Sequence, residues 1–357
     1  MICPRYKLEY QTFGPSCGQH VQHYRCPRGN IYENRHNFFA LKPAARFFGL
    51  GVLALLLSTC VPAFAADSAK PKAPTMAGVL AASTPGDWRA LDPENTLYVE
   101  FTSGRVVIEL APAFAPRHVA NVKALARERY YDGLAIVRVK DNYVVQWADP
   151  DADKPELARK IQHAHKTLSA EFDRAFDPKL PFTRLPDRDV YAPEVGFSGG
   201  FPVARDRHTG KMWLVHCYGM VGAGRDNAPD SGGGTELYVV IGHAPRHLDR
   251  NVTLFGRVVQ GMELLSALPR GTGALGFYEK PEQRVPIKSI RVAADVPEAE
   301  RSDLEIMRTD SAAFRGVIEA RRNRREDWFL VPAGRVEIGN VPVPVRPRNT
   351  GASKKQD

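Results

Sequence analysis

Hydrophobic positions along this chain recur mostly at strand spacing, in short runs broken by polar, glycine- or proline-bearing turns. Leu97-Tyr98-Val99-Glu100-Phe101 and Val106-Val107-Ile108-Glu109-Leu110 flank Thr102-Ser103-Gly104. Two β-rich runs around a short turn predict an antiparallel hairpin. The spacing then changes. Pro116 opens a stretch in which Val119, Val122 and Leu125 fall on one side of a helix, predicting a helix over 116–127. Tyr131-Asp132-Gly133 and Lys140-Asp141-Asn142 are turn signals, each followed by a β-rich run, Ile136 to Val139 and Tyr143 to Trp147. These runs place the Arg138 guanidinium and the Gln146 carboxamide among β-branched and aromatic neighbours, where long polar side chains are uncommon.

The centre and the end of the chain are less periodic. Asp151 to Ala170 is charged and fits a helix through Leu157, Ile161 and Leu168, whereas Asp177 to Arg207 is dense in Pro, Gly and Asp and reads as loop. Gly199-Gly200-Phe201-Pro202 marks a turn ahead of Trp213-Leu214-Val215. Residues 151–216 are therefore expected as a long insertion of loops with at most a short helix. After residue 298 an extension begins. Ala299 to Asp327 reads as a polar helix with Leu304, Met307, Phe314 and Ile318 on one face and the basic run Arg321-Arg322-Asn323-Arg324-Arg325, a solvated helix end. Trp328 to Val331 and Val336 to Ile338 read as short strands, and 341–357 as a proline-rich, then polar tail.

Three stretches resemble one family in order. Tyr131-Asp132-Gly133, Ile136-Val137-Arg138-Val139 and Tyr143-Val144-Val145-Gln146-Trp147-Ala148-Asp149-Pro150 resemble the Tyr-Asp-Gly, Phe-His-Arg-Val and Phe-Met-Ile-Gln-Gly-Gly-Asp-Pro of cyclophilin-type peptidyl-prolyl cis-trans isomerases. Alone, that segment fits equally a barrel hairpin carrying a solvated Arg. Gly219-Met220-Val221-Gly222-Ala223-Gly224-Arg225 and Pro229 to Val240 are similar to Gly-Thr-Val-Ser-Met-Ala-Arg and Pro-Asn-Ser-Ala-Gly-Ser-Gln-Phe-Phe-Ile, with one residue more here. Leu248-Asp249 and Leu254-Phe255-Gly256-Arg257-Val258-Val259-Gln260-Gly261-Met262-Glu263 continue the match. With the hairpin and helix that lead into them and a final strand over 286–296, the resemblance covers about residues 96–296.

The resemblance implies a mainly β fold: a closed antiparallel eight-stranded cyclophilin-like β-barrel flanked by helices at 116–127 and 261–268 and closed by a strand within 286–296. The domain spans 91–298, with the 299–357 extension of helix and short strands attached. The implied activity is isomerisation of X-Pro bonds, which requires no cofactor and no metal. Arg138 takes the role of donor to the prolyl nitrogen, and Gln146 orients the substrate backbone. Val144, Tyr238, Leu248 and Phe255 line the proline pocket, Ile136 and Tyr143 stand at its edges, and Gly224 and Arg225 lie along the peptide groove.

Several pocket positions depart from the family. Val137 replaces His, Ile136 and Leu237 replace Phe, Val252 stands for a pocket His or Tyr, His247 for Trp, and Trp147-Ala148 for Gly-Gly. Glu236 replaces a Gln, and a carboxylate only accepts hydrogen bonds. If it pairs with Arg138, it draws the guanidinium off the substrate. A reshaped pocket and reduced activity follow, so the alternative function is a catalytically weak or inactive module that binds proline segments as a chaperone or scaffold.

The front of the chain changes the picture of where this happens. Lys42 and Arg46 precede the apolar run Phe47 to Leu57, and Ala63-Phe64-Ala65 follows, the pattern of a secretory signal peptide cleaved near Ala65. The run is shorter than the roughly 20 residues of a membrane span. Leu57-Ser58-Thr59-Cys60 resembles a lipoprotein signal, but Thr precedes the Cys. The expected location is therefore periplasmic or secreted, with lipid anchoring at Cys60 the lesser alternative. Residues 1–40 hold Cys3, Cys17 and Cys26 and fit neither role, consistent with a start near Leu41; 66–90 reads as a flexible linker. Past residue 65 only Cys217 remains, and one thiol forms no internal disulfide.

The formal charge is +9 over 357 residues, and residues 1–65 hold seven of the cations against two acids. The remainder is only mildly basic and gives no case for nucleic acid. Gly222-Ala223-Gly224 and Gly232-Gly233-Gly234 do not build a dinucleotide-binding loop. His118, His216, His243 and His247 have no metal-site spacing. The expected partner is an extended, proline-containing protein segment, bound by a monomer without a stable membrane span.

Overall fold

The computed structural model describes residues 74–348, so the expectations for the leader, signal peptide and first linker residues lie outside the described residues. The chain opens with α1 (Met76–Ala82) and β1 (Trp88–Ala90). The hairpin expected next is present as β2 (Thr96–Phe101) and β3 (Gly104–Leu110). Its alternation turns Leu97, Val99, Phe101, Val106, Ile108 and Leu110 toward one core. Helix α2 (Pro116–Arg127) starts on its proline and buries Val119, Val122 and Leu125 in the same core.

Strands β4 (Ala135–Val139) and β5 (Val144–Ala148) carry the Arg and the Gln. The insertion follows with β6 (Arg174–Ala175), β7 (Thr183–Arg184), β8 (Glu194–Ser198), β9 (Phe201–Asp206) and β10 (Lys211–Leu214). The chain then returns through β11 (Met220–Ala223), β12 (Leu237–Val240), β13 (Leu254–Gln260), the short α3 (Met262–Ser266), β14 (Val285–Pro286) and β15 (Ser289–Val292).

The main sheet is antiparallel and curled, in the order β14-β4-β5-β12-β11-β13-β3-β2-β15. The mainly β expectation holds; the strand count is nine where eight were expected. Its two end strands are consecutive in the chain. Only Ile287 and Lys288 separate them: Ile287 N–H donates to the Leu134 carbonyl, and Lys288 N–H to that of Glu100. One segment thus stitches both ends of the ladder and covers their open edges.

Beyond the sheet, several expectations need correction. Residues 66–90 were expected as a flexible linker, yet 76–90 contain α1 and β1, and Val79 and Trp88 are buried. Residues 151–216 were expected as loops, yet they hold a five-stranded sheet ordered β6-β10-β9-β8-β7. Gly199-Gly200 is the two-residue turn of its central hairpin, both residues at positive φ (59° and 97°), as such turns require. No helix forms between 151 and 170.

In the extension, the helix expected over 299–327 is shorter. Leu304–Met307 is a strand, β16, and the helix is α4 (Ala312–Arg322). Trp328–Val331 and Val336–Ile338 are not strands, while β17 (Val345–Pro347) lies in the expected tail. β1, β16 and β17 form a third sheet.

The reason is a second core that periodicity within any one segment could not reveal. Val79, Trp88, Val195, Phe197, Val203, Met212, Phe314, Val317 and Ile338 pack together. They join Val144, Met220, Tyr238, Val240 and Leu254, which point out of the main sheet. Phe197 of the insertion meets Phe314 of the extension edge-on, centroids 5.0 Å apart. Arg322 grips Asp187 through two hydrogen bonds, 2.8 and 3.2 Å.

Candidate active site

A single extra residue aims Arg138. Ile136 and Val139 both face the barrel core, an odd spacing that strict alternation forbids. The pairing shows why: Ile136 opposes Trp147 and Arg138 opposes Gln146, so Val137 is a bulge. Bulges re-aim side chains, and this one brings Arg138 beside Gln146 on the outer face.

From there a directed row of hydrogen bonds runs along the sheet. Arg138 Nη1 donates to Gln146 Oε1 at 3.0 Å, and Gln146 Nε2 donates to Glu236 Oε2 at 2.9 Å. Arg138 only donates and an ionised Glu236 only accepts, so one orientation of the Gln146 amide satisfies both. Glu236 therefore does not bond Arg138 directly, as the sequence left open; it fixes the group that does. Burial raises the Glu236 carboxyl above the ordinary glutamate value, against the opposing hydrogen bond from Gln146. Burial likewise lowers the Arg138 guanidinium, which stays charged.

Two more contacts hold the guanidinium. Nε donates to the Leu275 carbonyl at 2.8 Å, and the rings of Tyr143 and Phe277 lie 5.6 and 5.4 Å from its carbon. Nη2 has no hydrogen-bond partner among the described residues. Leu275 sits at φ 56°, and the next residue, Gly276, packs so close to Lys140 that a Cβ would come within 2.7 Å of its Cα. Leu275 and Phe277 escaped the sequence reading. The glycines of 271–276 signal a loop, but nothing local says which side chain that loop covers.

Beneath the face lies a second network, also missed. The Tyr238 hydroxyl is 2.9 Å from His216 Nε2, and His216 Nδ1 is 2.9 Å from Asp249 Oδ1. Asp249 accepts from Arg246 Nε at 2.6 Å, and Arg246 holds Asp189 with two bonds of 2.8 and 3.0 Å. Burial lowers the His216 pKa, against the pull of Asp249, so the ring stays neutral. Its Nδ1–H then donates to Asp249 and Nε2 accepts from Tyr238. Tyr238 lies across Gly222, where a Cβ would sit 2.4 Å from the hydroxyl.

The structure gathers only part of the expected set. Arg138, Tyr143, Gln146, Gly224, Arg225, Glu236, Leu248 and Val252 are half-buried. Gly224 makes room for Glu236, its N–H donating to the Glu236 carbonyl at 2.8 Å. Arg225 is spent on the carbonyls of Asn251, Asp226 and Asn227. Ile136, Leu237 and Phe255, expected at the pocket, instead fill the barrel core, because their pleat positions face inward. Val144 and Tyr238 face outward but are covered by the second core.

The row Tyr143–Arg138–Gln146–Glu236 ends in a depression at either side. One of about 500 Å³ adjoins Tyr143, with His247, Pro245, Tyr191 and Arg188 in its wall. The other, of about 300 Å³, adjoins Glu236, with Tyr130, Arg159 and Lys166. Tyr143 stacks parallel on His247, centroids 6.3 Å apart. Such a strip, half-buried and open at both ends, suits an extended chain.

Known proteins resemble this chain in sequence and in fold. The family model described as cyclophilin type peptidyl-prolyl cis-trans isomerase/CLD matches residues 96–292. A probable peptidyl-prolyl cis-trans isomerase of Brucella suis is 28% identical over 201 residues, covering 54% of this chain and 82% of its own. Peptidyl-prolyl cis-trans isomerase-like 1 of Homo sapiens is 24% identical over 219 residues, covering 61% and 99%. The crystal structure of cyclophilin AquaCyp293 from Hirschia baltica superposes with a TM-score of 0.60 at 27% identity, covering 76% of this chain and 97% of that one.

Proposed function

Because this chain belongs to the cyclophilin-type peptidyl-prolyl cis-trans isomerase family, we propose that it turns X-Pro bonds in exported, extended protein segments, with Arg138 stabilising the twisted amide. The barrier to that rotation is roughly 18–20 kcal/mol, from the partial double bond of the amide. Twisting breaks the resonance and leaves a lone pair on the prolyl nitrogen. A catalyst must favour that state over both planar isomers.

Nη2 carries the reading. It is the guanidinium nitrogen left without a protein partner among the described residues, while Nε and Nη1 are held by Leu275 and Gln146. It is thus a donor already oriented for the developing lone pair. Gln146 keeps one N–H for the substrate backbone after Glu236 takes the other. No covalent step, metal or cofactor enters, and the working unit is a monomer. Export rests on the leader pattern of Lys42 to Ala65; N-terminal sequencing of the processed protein should read from Ala66, and an intact leader in the cytoplasmic fraction would refute it.

The test of the chemistry is an isomerisation assay on a proline peptide. Arg138→Ala should cut kcat/KM by about a hundredfold, the usual loss of one positioned donor, with the melting temperature staying within a few degrees of wild type. An active wild type indifferent to Arg138→Ala would defeat the mechanism. The burial of Val144 and Tyr238 favours a second reading, a module that binds proline segments with little turnover. A wild type that binds the peptide but leaves its isomerisation rate unchanged would select that reading.

A further inference from the structure

The second core buries Phe314, Val317, Ile318 and Ile338 of the extension but leaves the loop that follows α4 uncovered. Trp328, Leu330 and Val331 are 82, 91 and 83% exposed. Phe329 between them is half-buried, edge-on to Trp328 with centroids 5.0 Å apart. A run of apolar side chains standing outside the protein marks an interaction surface.

Its surroundings are cationic. Arg324 lies 4.9 Å from the Phe329 ring, and Arg325 and Arg335 are exposed on either side of the run. None of these three arginines makes an ion pair among the described residues. Arg322, by contrast, is spent on Asp187 and Glu319, and Arg321 donates to the Asn340 carbonyl. Glu326 and Asp327 are the acids within the stretch.

We propose that the 328–331 loop seats in an anionic phospholipid surface, its apolar tip entering the headgroup layer while Arg324, Arg325 and Arg335 pair with lipid phosphates. The chemistry matches each part. Trp and Phe favour headgroup depth, and arginines with apolar stems reach phosphate from there. Trp328, Leu330 and Val331 all stand exposed at the tip, which fits a soft planar interface better than a protein groove. This is attachment to a surface, not a span: no helix among the described residues is long and apolar enough to cross a membrane.

The chain reports on its own docking. Of its four tryptophans, Trp88, Trp147 and Trp213 are buried and Trp328 is exposed. The full chain is mixed with vesicles of phosphatidylglycerol and phosphatidylcholine whose acyl chains are brominated. The expected result is quenching of Trp328 fluorescence that disappears in Trp328→Phe, on pure phosphatidylcholine and in high salt. Arg324→Ala with Arg325→Ala should weaken binding by roughly fivefold per arginine. Sedimentation with vesicles while Trp328 stays unquenched would assign binding to the apolar run 47–57 and overturn the proposal. So would equal binding to neutral vesicles, or a lipid-free dimer that Leu330→Ser dissolves.

Discussion

The hydroxyl of Tyr238 lies 2.9 Å from Nε2 of His216, at the head of a buried chain that runs through Asp249 and Arg246 to Asp189. The outward-facing side chain under the candidate site is therefore tied to the insertion by polar groups as well as by packing. Tyr238→Phe keeps the ring and strands His216 Nε2 without a partner. Its cost should be about 1–3 kcal/mol, read as a fall in unfolding free energy by denaturant titration. An equally stable variant would show that this hydrogen bond contributes nothing net.

Gln146 holds Arg138 through the 3.0 Å bond from Nη1. Gln146→Ala removes the acceptor of Nη1 and should lower kcat/KM by roughly tenfold or more through misplacement of the guanidinium. The double variant with Arg138→Ala should match Arg138→Ala alone, since the two groups share one effect. Additive losses in the same assay would mean that Gln146 serves the substrate independently.

Glu236 gives a pH signature. Its carboxyl is raised in the folded protein, chiefly by burial, so the folded state holds this proton more tightly than the unfolded chain does. That contribution is fully present below the unfolded value of about 4.3 and is lost as pH rises through the folded value. Glu236→Gln accepts the same Gln146 bond without the charge. It should melt a few degrees higher than wild type at pH 7, with the gap closing below about pH 4. A gap that widens in acid would reverse the sign of this argument.

Phe314 tests whether insertion, extension and barrel stand together. It is fully buried against Phe197. Phe314→Ala should cost about 3–5 kcal/mol. Because the second core is shared, near-UV circular dichroism and tryptophan emission should still report one coincident transition. Separate transitions would show that the barrel is independent of its cover.

The barrel was legible because its signals are local. Alternation in 97–110, the proline at 116 and the helical spacing of Val119, Val122 and Leu125 each act within a few residues. Arg138 and Gln146 stood out for the same reason, as polar groups in apolar runs. The second core was hidden because its partners lie far apart: Val79 packs near Gly316, and Trp88 pairs with Met307. The short strands of 174–214 also carry Pro, Gly and Asp, which read as loop until the Gly199-Gly200 turn is placed. Ile136 was misplaced because one bulged residue, Val137, shifts the facing of its strand without altering its composition, whereas Leu237 and Phe255 lie on other strands and face inward by their own pleat positions.

The pairing of β1 with β16 has a consequence for how the molecule comes into being. Residues 88–90 find their hydrogen-bond partners at 305–307, and α1 rests on α4. A chain emerging N-terminus first holds those early segments unsatisfied until nearly its whole length has been made or delivered. Contacts so distant in sequence form slowly. The outer face of Val144 and Tyr238 stays bare until they form, so this isomerase completes its own fold only once nearly its whole length is present.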